Sequence, residues 1–213
     1  MACRLSKALG AAIICAAFAA GSSSAQVPAA SQDQGMSPQE KEFRASLTPD
    51  SWAKNADGMD KCAVAPISAK VVEQKWKTDS LEGTLSLPSD FHEVPATGTV
   101  DGNRWIGADS SSIEVHGNRA LFRGGMGMGG MDIGRPLGTA TTCALTLEGR
   151  AAPSHTLMLT RPLHGDTLYV DTPNTVVRNG VGLQFIILTH TTAQQAVLRA
   201  AAQSLKVSPA KGP

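Results

Sequence analysis

Residues Thr141 to Glu148 alternate in character: Cys143, Leu145 and Leu147 fall on one side, and Thr142, Thr146 and Glu148 on the other. A period of two is that of a half-buried β-strand, so Cys143 belongs to a face turned toward a core. That position constrains the fold strongly. A disulfide holds two Cα atoms within about 7 Å, so the segment carrying the partner must lie across this core, not outside it.

The partner follows from the amino terminus. Arg4 and Lys7 precede an uncharged apolar run from Leu9 to Ala20, and Gly21-Ser22-Ser23-Ser24-Ala25 comes after it. This is the order of a cleavable secretory signal, with cleavage expected after Ala25. The run is too short for a comfortable bilayer span, so no stable membrane span is expected after cleavage. Ile13 and Ile14 are bulky where a lipidation signal before Cys15 needs small residues. Removing residues 1–25 leaves 188 residues, discards Arg4 and Lys7 with no acidic residue, and moves the formal charge from +1 to −1. It also removes Cys3 and Cys15, leaving Cys62 and Cys143 as one expected disulfide in an oxidising compartment, best suited by a bacterial periplasm. No Cys-x-x-Cys spacing points to redox thiols instead.

Residues 26–37 are rich in Ala, Ser, Gln and Pro and read as a flexible lead-in. Ser37-Pro38-Gln39-Glu40 is a helix start, with a capping serine, a proline at the first turn and a capping-box glutamate, and predicts a short helix to about Leu47. Thr48-Pro49-Asp50-Ser51 repeats the signal before Trp52. Strand signals begin near Lys70: Val71, Val72 and Trp76 in one segment, then Gly83 to Leu87 closed by Pro88. Ile113 to His116 and Arg119 to Phe122 flank Gly117-Asn118, which predicts a tight hairpin with Ile113, Val115, Ala120 and Phe122 on the core face. Ser154 to Arg161 and Thr167 to Val170 are further strands, with Arg150 and Pro153 in a connecting loop. The unbroken apolar run in Leu183 to Thr189 suits a central strand buried on both faces. Thr191 with Gln194 caps a last helix to about Leu205, whose apolar stripe is Val197, Leu198, Ala201 and Leu205. The expectation is a single α+β domain over residues 38–207, a mostly antiparallel sheet with helices packed on one side, followed by a flexible tail at 208–213.

Charge narrows the function. With 19 Lys and Arg against 18 Asp and Glu the charge gives no electrostatic case for nucleic acid. The segment furthest from average composition is Gly124 to Leu137, in which Met126, Met128 and Met131 place three thioethers within six residues. Thioethers are soft ligands that favour Cu(I), and His116 could complete a set. Methionines in a glycine-rich loop also serve as adaptable apolar contacts, or as inert low-complexity chain.

The remaining signals carry less. His92, His116, His155, His164 and His190 show no zinc spacing, although His116 and His155 could meet across a sheet. Ser51-Trp52-Ala53-Lys54 matches Ser-x-x-Lys, but no Lys-Thr-Gly follows. A Gly-x-Ser-x-Gly elbow is missing, and the glycines at 125–130 open no helix that could cradle phosphate. Asp57-Gly58 and Asp101-Gly102-Asn103 have turn composition. No catalytic residue is assigned.

Leu87-Pro88-Ser89-Asp90-Phe91, Trp105, Ile113-Glu114-Val115, Gly182-Leu183-Gln184-Phe185 and Gln203-Ser204-Leu205 together resemble small exported proteins with a PsbP-like α/β sandwich, over residues 83–207. That resemblance implies a noncatalytic accessory or binding role and carries over no binding residue. Three functions are therefore weighed: a noncatalytic envelope protein binding a protein or small-molecule partner, a periplasmic Cu(I) binder using the Gly-Met stretch, and a hydrolase whose site is assembled from distant residues.

Overall fold

A computed structural model describes residues 46–96, 102–117, 141–161, 166–178 and 180–208, together with positions 38, 39, 42, 135 and 136. The expected signal segment, the lead-in, the Gly-Met run and residues 209–213 lie outside the described residues. Pro38, Gln39, Glu42 and Ser46 are helical, as the first start signal predicts.

Helix α1 (Pro49–Ala53) is one turn long, and its start is the predicted one. Thr48 Oγ1 accepts the Ser51 N–H at 3.1 Å and Ser51 Oγ accepts the Thr48 N–H at 2.9 Å. The serine of the Ser-x-x-Lys match is thus a capping residue. A 3₁₀ turn (Lys54–Ala56) follows, and then an irregular segment leads to Cys62.

The strands form two antiparallel sheets. The smaller has the order β1-β2-β12, from β1 (Val71–Lys77), β2 (Glu82–Pro88) and β12 (Lys206–Val207). Trp76 lies against Gly83, where a Cβ would overlap the Lys206 carbonyl oxygen and come within 2.6 Å of the indole, so only glycine fits between them. The larger sheet begins β3 (His92–Val94), β4 (Gly102–Ile106), β5 (Ser112–Gly117). It continues through β11 (Val181–Thr189), β9 (Asp166–Asp171) and β8 (Arg150–Arg161) to β6 (Arg135–Pro136). In addition β7 (Thr141–Leu147) pairs with β8, and β10 (Asn174–Arg178) pairs with β11. Helix α2 (Thr192–Gln203) packs on β11, β2 and β7, while α1 contacts β8 and β10.

Several local expectations are met. β11 is buried along most of its length and pairs on both edges, with β5 on one side and β9 and β10 on the other. Thr191 Oγ1 caps α2 by accepting the Gln194 N–H at 3.2 Å. Cys143, Leu145 and Leu147 face the main core, and Cys143 is bonded to Cys62 across 81 residues of chain, with Cα atoms 4.9 Å apart. The Cys62 segment is further held by a bridge to β7, where Cys62 N–H donates to Ala144 O at 2.9 Å and Ala144 N–H to Asp60 O at 2.8 Å.

Three expectations are corrected. β5 is hydrogen-bonded on both edges, by β4 and β11, which leaves no edge for the hairpin expected with residues 119–122; its hairpin partner is β4. Gly102 and Asn103 are strand residues, not a turn. The β7–β8 turn is Glu148-Gly149, both at positive φ, so β8 starts at Arg150 and includes Pro153. That proline is tolerated because its opposite residue, Ala144, turns its N–H and C=O away from β8 toward residues 60–62, so no ladder bond is lost.

The main core fills the space between one face of the large sheet, α2 and the small sheet. Trp105, Ile113, Val115, Phe185 and Ile187 come from the large sheet, Leu198 and Ala201 from α2, and Trp76, Leu85 and Leu87 from the small one. On the opposite face of the large sheet, Leu159, Leu168, Val170 and Leu188 form a second, smaller cluster. Among the described residues no helix is long and apolar enough to cross a membrane.

Candidate functional site

Every residue of β5 is buried. Ile113 and Val115 account for one face. On the other, Ser112 and Glu114 are each 1% exposed and His116 is 3% exposed, so three polar side chains point away from the main core and are nonetheless withdrawn from solvent. Buried polar groups normally satisfy one another, so their partners matter. The register places Arg104 and Ile186 on either side of Glu114, Gly102 and Gln184 beside His116, and Ile106 and Leu188 beside Ser112.

Glu114 is the centre of this array. Its Oε1 lies 2.9 Å from Arg104 Nε and its Oε2 lies 2.9 Å from His116 Nε2. Gly102 lets β4 come close to β5 beside His116, because a Cβ there would overlap the Val115 carbonyl oxygen. The distances to Glu114 are ion-pair distances: neither imidazole nitrogen, nor Arg104 Nε, nor Ser112 Oγ makes a hydrogen bond among the described residues. Ser112, Glu114 and His116 do not form a nucleophilic relay. Four strand steps separate Ser112 from His116, about 13 Å at 3.3 Å per residue, so the imidazole cannot take the serine proton. What the arrangement does offer is a buried imidazole with a carboxylate 2.9 Å from one nitrogen, set between Gly102 and Gln184 of the flanking strands.

A second buried charged group lies on the core face. Asp171 is fully buried and Arg199, on α2, is 7% exposed. Arg199 donates from Nε to Asp171 Oδ2 at 2.7 Å and from Nη2 to Oδ1 at 3.2 Å. Gln195 Nε2 donates to Oδ1 at 2.8 Å, and the Thr156 hydroxyl donates to it at 2.6 Å. Nη2 also reaches Thr156 Oγ1 at 2.9 Å, and Nη1 reaches the Ala63 carbonyl at 3.4 Å. The group is closed on itself and ties α2 to β8, β9 and the segment just after Cys62. Its role is structural.

A third cluster joins the β4–β5 turn to the start of α2. Burial pushes the Asp109 carboxyl up, but hydrogen bonds from Ser111 and from the Gln194 side chain outweigh it and hold the group below the usual aspartate range. Gln194 Nε2 donates to Asp109 Oδ2 at 2.6 Å while its Oε1 accepts the His190 and Thr191 N–H groups, each at 3.0 Å. One side chain thus completes the capping box and anchors the turn.

Of the residues singled out from sequence, Cys62 and Cys143 are joined and His116 is buried in the array above. Met126, Met128 and Met131 lie outside the described residues. His155 is exposed on β8, with β11 and β9 between it and β5, so it does not meet His116. His92 is exposed on β3, and His190 Nδ1 lies 3.2 Å from Asp166 Oδ2. Among the described residues no three His, Cys, Asp or Glu side chains converge as a metal site. The roles of Glu114, Arg104, Asp171 and Arg199 were missed from sequence. The only available signal was their placement on alternating or helical faces beside apolar residues, which does not distinguish a covered polar face from a wet one.

No protein-family model matches this chain, and no curated protein matches it.

Proposed function

We propose that this chain is a noncatalytic accessory or binding protein of the periplasm, exported by residues 1–25 and folded as a single domain over residues 38–207. The observation that carries the reading is the disulfide across the main core, a crosslink that persists in oxidising compartments. Its ionic groups fit a scaffold: Asp171 and Arg199 are spent on docking α2. The PsbP-like resemblance over residues 83–207, whose relatives mostly act as accessory proteins, adds to it. Expressed in a bacterium with an oxidising periplasm, the protein is expected in the osmotic-shock fraction. Amino-terminal sequencing should start at Gln26, and thiol titration should find no free cysteine. A cytoplasmic chain that keeps Met1 and reduced cysteines would sink the reading.

A second reading, Cu(I) binding, draws on His116. Metal-binding histidines are commonly flanked by a carboxylate, and here Glu114 lies 2.9 Å from His116 Nε2 while neither ring nitrogen makes a hydrogen bond among the described residues. Met126 also follows His116 by ten residues in the chain. In this reading Met126, Met128 and Met131 supply the soft ligands. The purified protein is expected to withdraw Cu(I) from a chromogenic chelator, and the Met126→Ile/Met128→Ile/Met131→Ile variant to leave the metal with it. Equal behaviour of the two proteins ends this reading.

A further inference from the structure

Strand β11 lies between β5 and β9, and an acidic side chain from each neighbour's side reaches residues 190–194, which lead it into α2. From the β5 side comes Asp109, in the turn 107–111 that joins the paired Ile106 and Ser112. From the β9 side comes Asp166, whose Oδ2 lies 3.2 Å from His190 Nδ1. The two contacts differ in kind. Asp166 and His190 are both titratable, whereas Asp109 meets Gln194, which is not. A single carboxyl therefore sets how the second contact answers to acid. The titratable group nearest it on the α2 side is His190, whose N–H also bonds to Gln194 Oε1. On the β3 side stand Asp90 and His92, which flank Phe91, whose ring packs against Gly107.

Asp109 accepts three hydrogen bonds. Its Oδ1 takes the Ser111 N–H at 2.9 Å and the Ser111 hydroxyl at 2.5 Å, and its Oδ2 takes Gln194 Nε2 at 2.6 Å. Ser110, between Asp109 and Ser111, has φ 64°, in the left-handed region that serine rarely adopts, so the bonds across it hold a strained turn. The Ser111 N–H and the Gln194 amide N–H can only donate. A proton on the carboxyl weakens both bonds, and on Oδ2 it would face another donor. The identity of residue 194 fits this role. A capping box takes glutamate or glutamine at this position, and either would accept the His190 and Thr191 N–H groups. Only glutamine also brings a donor to Asp109.

We infer that Asp109 and Gln194 form an acid-released latch, which holds the β4–β5 turn to the first turn of α2 while the carboxyl is ionised and lets it go once the carboxyl is protonated. Burial pushes the Asp109 carboxyl up, and the Ser111 and Gln194 donors outweigh it and hold it below the usual aspartate value. With a lowered folded-state value, the latch is fully closed above the usual aspartate range and opens as pH falls through the folded value. One test is a proton–nitrogen NMR titration of the purified chain from pH 7 downward. The Ser111 N–H and the Gln194 side-chain amide are expected to shift together, with one midpoint below the usual aspartate value, and the step to vanish in Asp109→Asn. The second test is made at pH 7 and needs no acid. Gln194→Glu keeps the cap but sets two carboxylates against each other, and is expected to melt about 2–4 °C below the wild type. The exchange Asp109→Asn/Gln194→Glu restores one donor and one carboxylate and is expected to recover most of that loss. A Gln194 amide that stays still while Asp109 titrates overturns the inference. So does an exchanged variant that melts no higher at pH 7 than Gln194→Glu alone.

Discussion

Replacing Arg199 with methionine is expected to lower the free energy of unfolding by about 3–5 kcal/mol, measured by urea denaturation. The aliphatic stem is kept, so the loss is mainly electrostatic. Asp171, with no exposed surface, would keep its hydrogen bonds from Thr156 and Gln195 but lose its counter-charge. A domain of ordinary stability has about 5–15 kcal/mol in total, so this one change removes a large share of it. The control is the double variant Arg199→Met/Asp171→Leu, which buries no charge and is expected to recover part of the loss. A single variant that costs less than about 1 kcal/mol would show that the pair contributes no more than a surface salt bridge.

The second large effect concerns the crosslink. Replacing Cys62 and Cys143 by serine is expected to cost about 4–5 kcal/mol, from the chain entropy of closing a loop whose ends are 81 residues apart. The loss should have a local signature too. Without the crosslink, the chain between the 3₁₀ turn and β1 is held chiefly by the Lys61–Ala144 bridge and its neighbouring main-chain bonds. Limited trypsin digestion of the reduced protein is therefore expected to cut first at Lys54, Lys61 or Lys70, before the large sheet is attacked. Cleavage beginning in β8 or β11 would contradict that order. Because Arg199 Nη1 reaches Ala63 O, next to Cys62, losing both the arginine and the disulfide should cost a sum different from the separate losses.

Local chemistry was legible wherever it needed only neighbours in the chain. The capping boxes at Thr48 and Thr191 satisfy their own first turns and depend on nothing distant. The alternation through Cys143 and the apolar run in β11 report faithfully which residues share a face. The hairpin expected at Gly117-Asn118 failed because turn composition competes with strand pairing elsewhere: β4 and β11 take both edges of β5. Asn103 reads as a turn residue until its side chain is seen joining β1 to Glu93 on β3.

The amino-acid sequence by itself determined the sheet-rich antiparallel class, the facing of Cys143, the start of α2 and the pairing of Cys62 with Cys143. Each follows from periodicity, capping or elimination within the chain. Only the tertiary structure decided that Glu114 and His116 are buried, that Asp171 meets Arg199, and that Asn103 links β1 to β3. The physical reason is common to all three. A polar residue in an alternating strand looks alike whether water or protein covers it, and partners far apart in the chain leave no periodic mark. Burial and these distant partners become defined only once the strands have taken their order.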